Sequence, residues 1–135
     1  MYLADTNIVS ELMRVRPNAG VLQWAGSVDS AGAQVAVSAM TVDEIIFGLK
    51  WRPNAAKMNW FDRFLADTAV LPVTEVVAHR GGEMRAVLAT RGQVREQADM
   101  LIAATAQVHA LTLVTRNVRD FDGCGIAVLN PFSPA

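Results

Sequence analysis

Four carboxylates stand where they could act together: Asp5, Glu44, Asp99 and Asp120. Asp5 ends the apolar run Tyr2-Leu3-Ala4 and precedes a helical spacing of Ile8, Val9, Leu12 and Met13. Glu44 lies early in the helical pattern Val42, Ile45, Ile46 and Leu49. Asp99 opens Gln97–Ala106, which is apolar almost all round and so reads as a buried helix. Asp120 follows Leu111–Val114, a strongly β-type run. In a parallel α/β unit the helices run back against the strands, so strand C-termini and helix N-termini share the edge at which ligands bind. All four acids are expected at that edge. Like charges within a few Å repel, and a hard cation removes the repulsion. Carboxylate oxygens without His or Cys suit Mg²⁺, or Mn²⁺. A divalent ion there polarises a phosphoryl oxygen and lowers the pKa of water, so phosphodiester hydrolysis is the indicated reaction class.

Each acid also has a plainer reading. Thr41 and Glu44 have the spacing of a capping box, Asp99 suits the positive end of a helix, and Asp120 suits a turn. Each reading explains its own residue, and none explains the coincidence of all four. His79 and Glu83 form a formal metal pair at helical spacing, though a hydrogen-bonded helix surface accounts for them as well. No Ser-His-Asp or Cys-His set suggests covalent catalysis. Neither GxxxxGK[ST] nor GxGxxG is present.

The elements that must position these residues follow from pattern. Strands are expected at Tyr2–Ala4, Gln34–Val37, Leu71–Val73, Leu111–Val114 and Ile126–Leu129. Helices are expected over about Asn7–Arg14, with Thr6 or Asn7 as cap, over Ala19–Val28, from Ser38–Met40 onward, and after Pro53. Two more run from Thr74 or Glu75 to Gly92, burying Val76, Val77, Met84, Val87 and Leu88, and over Gln97–Ala106. Parallel pairing with right-handed crossovers is the natural solution. The expected fold is a three-layer α/β sandwich, a sheet of about five parallel strands with helices on both faces, as one domain over 1–135.

Composition bounds the rest. With 135 residues, 52% of them hydrophobic, a substantial core is attainable. Mean hydropathy is +0.24, which suggests apolar surface covered by a partner or a second copy. No apolar run reaches the roughly 18 residues of a membrane span and no signal peptide is visible, so a cytoplasmic protein is expected. Net charge is −1, so any grip on nucleic acid rests on local arginines and a metal. Arginine outnumbers lysine ten to two and is the better bidentate phosphate ligand. Cys124 stands alone, which rules out an internal disulfide and a Cys-based zinc site. Trp51 and Trp60 read as core or interface residues, with base stacking the lesser alternative.

At this point the chain resembles a known family. Asp5-Thr6-Asn7, Ser38-x-x-Thr41-x-x-Glu44, Asp99-x-x-Ile102-Ala103-Ala104-Thr105-Ala106 and Thr115-Arg116-Asn117-x-x-Asp120-Phe121 look like the four acidic motifs of PIN-domain ribonucleases, in order along the whole chain. Asp5-Thr6-Asn7-x-x-Ser10-Glu11 and Asn130-Pro131-Phe132 look most like the VapC/FitB toxins of bacterial toxin–antitoxin pairs. The resemblance implies that Asp5, Glu44, Asp99 and Asp120 bind Mg²⁺, with Asp5 and Asp99 central. It implies that Thr6, Ser38 and Asn117 hydrogen-bond the carboxylates or adjacent water. It implies endonucleolytic hydrolysis of RNA, a homodimer, and a small DNA-binding antitoxin seated in an apolar groove between the early helices. Arg14, Arg16, Lys50 and Arg116 are candidate RNA contacts. Two other readings compete: a catalytically silent binding module acting through complex formation with the antitoxin, and a phospho-accepting receiver domain. The receiver reading lacks paired acids after strand one, an Asp after strand three and a late Lys. Haloacid-type phosphatases want Asp-x-Asp, and Asn7 stands at the second position.

Overall fold

In the computed structural model, residues 1–134 are described, and they form a five-stranded sheet in which every recorded pairing is parallel. The strands are β1 (Tyr2–Ala4), β2 (Val35–Ser38), β3 (Ala69–Leu71), β4 (Thr112–Val114) and β5 (Val128–Leu129), in the order β3-β2-β1-β4-β5. β1 is central, paired with β2 on one side and β4 on the other. The chain builds outward from it in both directions, so the crevice beside β1 is a topological switch point.

The period-two alternation of the strands sorts the core into two. Leu3, Ala36 and Leu113 face α5 (Glu75–Thr90) and α6 (Gln97–Val108), where Leu88, Met100, Ile102 and Ala106 are buried. Ala4, Val37 and Val114 face the other way, onto α1 (Thr6–Leu12), α2 (Ala19–Ser30), α3 (Ala39–Trp51) and α4 (Ala55–Ala66), with Ile8, Val21, Ile45 and Phe61 at the centre. Helices on both faces of a parallel sheet make the expected three layers.

Four local expectations are corrected. Asp5 itself caps α1, through Oδ1 and the Thr6 N–H at 2.8 Å, and the helix starts at Thr6. Ser38 caps α3, accepting from the Met40 N–H at 3.0 Å, so there is no capping box at Thr41, and Glu44 falls in the second turn. The third strand ends at Leu71, before Pro72, which cannot donate to a ladder. On α5, Val76 and Val87 are 60% and 48% exposed, because α6 covers only the face that carries Val77, Gly81 and Leu88. The first strand is as expected, and the remaining strand and helix limits agree with pattern to within two residues.

Candidate active site

Asp5 lies at the C-terminal end of β1 and is 4% exposed. Its backbone N–H continues the ladder to the Val114 carbonyl at 2.9 Å. The side chain is held from three sides. Oδ1 accepts from the Thr6 N–H, while Oδ2 accepts from the Thr115 hydroxyl at 2.8 Å and from the Asn7 amide at 3.1 Å. Thr115 is wholly buried at the end of β4 and also receives the Asn117 N–H at 3.0 Å and the Asn7 amide at 3.1 Å. Three donors fill three of the roughly four acceptor positions of a carboxylate, leaving one. Burial pushes the Asp5 carboxyl above its ordinary range, and the charge of Glu44 adds to that. The Thr115, Thr6 and Asn7 hydrogen bonds act in the opposite direction.

Glu44 is exposed on α3, and its Oε1 accepts from the Thr6 hydroxyl at 2.7 Å. The Thr6 oxygen also lies 3.1 Å from the Thr41 hydroxyl. Thr6 has one proton to give, and the shorter, charge-assisted contact takes it. Thr41, fully buried, donates back. Thus Thr41 orients Glu44 indirectly, through Thr6 on α1.

Asp99 sits in the first turn of α6, half-buried. Its carboxyl is pushed up to about 6, first by burial and then by the charges of Asp5, Asp120, Glu44 and Glu96. Asp5, Glu44 and Asp99 line one pocket of about 620 Å³ together with Thr6, Asn7 and Asn117. Asp120 lies in a 3-10 turn, Val118–Phe121, and does not line that pocket, although its charge is felt at Asp99. Arg95 grips both ends of the turn, donating to the carbonyls of Arg119 at 2.8 Å and Asp122 at 3.3 Å. Ser38 is buried and holds the start of α3.

Of the basic candidates, Arg14 and Arg116 line the pocket, whereas Arg16 and Lys50 are exposed elsewhere. Sequence reasoning missed Lys57, Phe132 and the buried Glu11, which line it too. Glu11 is spoken for: it accepts from the Asn18 N–H at 2.7 Å and pairs with Arg14 at 3.3 Å. His79 and Glu83 form an exposed pair at 3.0 Å on α5.

Among the described residues, none of the ion pairs engages Asp5, Glu44, Asp99 or Asp120. No three His, Cys, Asp or Glu side chains there are disposed to enclose an ion unaided. The donor set fits a small hydrated cation, since Mg²⁺ keeps several waters and binds through one or two carboxylates. Asp5, oriented and with an acceptor position free, and Asp99, unpaired and raised, are such a couple.

Comparison with known proteins shows the family. The PIN domain family matches residues 2–123. The chain is 35% identical over 139 residues to the toxin FitB of Neisseria gonorrhoeae, covering 98% of this chain and 99% of that protein. It is 32% identical over 143 residues to the VapC ribonuclease Y4jK of Sinorhizobium fredii, over the full length of both. A solved structure of FitAB bound to a DNA fragment superposes with a TM-score of 0.82 at 33% identity, covering 100% of this chain and 98% of that one. Other matching structures include toxin–antitoxin complexes.

Proposed function

This chain belongs to the PIN domain family, and from that premise we propose that it is a Mg²⁺-dependent endoribonuclease, the toxin of a toxin–antitoxin pair. The observation that carries the reading is the convergence of Asp5, Glu44 and Asp99, from β1, α3 and α6, on one pocket with no cation paired to them. Asp5 and Asp99 would hold the ion, with Glu44 and Asp120 beside them, Mn²⁺ serving as well as Mg²⁺. When bound, the ion supplies positive charge to a phosphoryl oxygen and acidifies water. The chain does the rest. Thr115, Asn7 and the Thr6 N–H fix Asp5, so its free acceptor position keeps one direction. Thr6 and Thr41 fix Glu44, which is exposed and can take a proton from water at the pocket mouth. Arg14 and Arg116 lie where the RNA backbone would pass. Asn117, whose N–H is anchored on Thr115, and Ser38, at the head of α3, keep their neighbours in register. The test is cleavage of RNA in Mg²⁺, set against EDTA and against Asp5→Ala. Equal cleavage by the Asp5 variant rejects the site.

The names of the relatives support a neutralising partner, and the surface offers it a seat. An apolar cleft of about 680 Å³ lies between α2 and α4, bordered by Tyr2, Leu12, Trp24, Val28 and Phe64. Apart from Asp29 and Asp67 at its rim, carbon surface dominates this lining, which suits the apolar face of a partner helix. We take this cleft as the place of a small antitoxin whose other end binds DNA. Ala25→Glu, which puts a charge into the cleft lining, should weaken capture of the antitoxin in a pull-down. Phe47 and Trp51, 65% and 68% exposed on α3, are apolar surface of the kind a second copy covers. They support a homodimer, which light scattering measures. No helix among the described residues is long and apolar enough to cross a membrane, and the cytoplasm is the compartment this reading assigns.

A further inference from the structure

Three basic side chains from three separate elements border the pocket that holds the acids: Arg14 after α1, Lys57 in α4 and Arg116 after β4. Arg14 is engaged with Glu11. Lys57 has no ion pair among the described residues. Arg116 is fixed at both ends. Its backbone N–H donates to Asn7 Oδ1 at 3.0 Å, and its guanidinium lies 4.8 Å from the centre of the Phe132 ring. The same Asn7 amide donates to Asp5, so acid and cation share one anchor.

Phe132 in turn is placed by a strap, residues 130–133, laid across the start of α2. Asn130 Oδ1 accepts from the Phe132 N–H at 3.0 Å. Asn18 Oδ1 accepts from the Ser133 N–H at 3.0 Å, and the Asn18 amide donates to the Ser133 carbonyl at 3.2 Å. The strap lies so close that a Cβ on Gly20 would run into the Pro131 carbonyl and the Ser133 nitrogen. Asn18 and Gly20 are therefore a docking seat more than a hundred residues upstream of what they hold.

We propose that this strap is part of the substrate site: it seats Phe132 against Arg116 and so presents Arg116, with Lys57, as a clamp for an RNA phosphate adjoining the acids. The proposal rests on the nuclease reading. A chain of net charge −1 with an acidic pocket repels a polyanion unless cations are fixed nearby. A guanidinium stacked on a ring keeps its donors directed outward and loses less freedom when a phosphate arrives. In this role Arg116 contacts the phosphate and Phe132 is the positioning residue.

The experiment measures binding of a fluorescent 12-nucleotide single-stranded RNA to the full chain by anisotropy, in EDTA, so that nothing is cut. Phe132→Leu keeps the apolar packing and removes the π-face, and should weaken binding roughly two- to fivefold. Gly20→Ala, which forces the strap away, should do the same, and Phe132→Tyr should bind as wild type. Arg116→Ala, an exposed change that leaves the fold alone, should lower the slope of log affinity against log salt by about 0.7. The clamp is overturned if Arg116→Ala leaves that slope unchanged, or if Phe132→Leu and Gly20→Ala, with unaltered circular dichroism, bind like wild type. It is equally overturned if these variants lose only the antitoxin. A wild-type protein that binds RNA yet leaves it uncut in Mg²⁺ sinks the nuclease reading and not the clamp, so the two failures are separable.

Discussion

Thr115 decides how Asp5 can act, because its buried hydroxyl is the shortest side-chain hydrogen bond to that carboxylate, 2.8 Å. Thr115→Val keeps the volume and deletes the donor. The expected result is a loss of about 10- to 100-fold in single-turnover RNA cleavage, with KM nearly constant and Thr115→Ser close to wild type. Asp99 gives a second prediction. Its carboxyl is near 6 in the fold against about 3.9 in the unfolded chain, so the folded state holds that proton more tightly. The stabilising contribution is full below about pH 4 and is lost as pH rises through about 6. Metal-free wild type should therefore gain melting temperature relative to Asp99→Asn on going from pH 7 to pH 5. An equal pH response in both proteins would refute the raised carboxyl. At this scale the sequence was readable for the acids and, through the family motifs, for Thr6 as a holder, but not for Thr115. Asp5 and Asp99 announced themselves by standing at element junctions, whereas Glu44 falls in the second turn of α3. Thr6 and Asn7 reach Asp5 from next door, but the bonds that tie Asp5 and Asn7 to Thr115 span more than a hundred residues. No local pattern encodes them, although the motif Thr115-Arg116-Asn117 contained the missing partner. Lys57 and Phe132 carry no periodic signal pointing to a pocket.

Among the elements, α5 and α6 share the most extensive contact. Gly81 is buried on α5, and a Cβ there would lie 3.1 Å from Leu101 Cδ2 and 3.3 Å from the Met100 carbonyl. Gly81→Val overfills that seam and should cost about 1–3 kcal/mol in urea unfolding. It should also reduce activity, because α6 carries Asp99. Element existence and order were legible because the strands are short β-branched or apolar runs and α6 is apolar all round. Their caps were not. The Thr41–Glu44 spacing suggests a capping box, but Ser38 has the extended backbone that a cap requires, φ −77° and ψ 150°, and so ends β2 and starts α3 at once. Leu71-Pro72-Val73 reads as a strand by hydrophobicity alone. Pairing with β2 instead selects Ala69–Leu71, with Val70 opposite Val37, and leaves the proline outside the ladder. Val76 and Val87 show the limit of composition: an apolar residue on a helix is buried only if a neighbour covers its face.

For the molecule as a whole, the acids at one edge are an unbalanced load until a cation joins them. Saturating Mg²⁺ or Mn²⁺, at about a hundred times its dissociation constant, should stabilise the fold by roughly 2.7 kcal/mol. That appears as a melting shift of several degrees, reversed by EDTA and absent in Asp5→Ala. A melting curve indifferent to both ions would leave the pocket without its proposed occupant. The order β3-β2-β1-β4-β5 also bears on synthesis. Of the five strands, β1 is made first and stands in the middle of the sheet, while its register partner at Thr112–Val114 is made fourth. Until then Asp5 lacks the Thr115 hydroxyl, and the cleft lacks Arg116 and its ring. A chain truncated before β4 is therefore expected to cleave no RNA, which a cleavage assay on such a fragment checks.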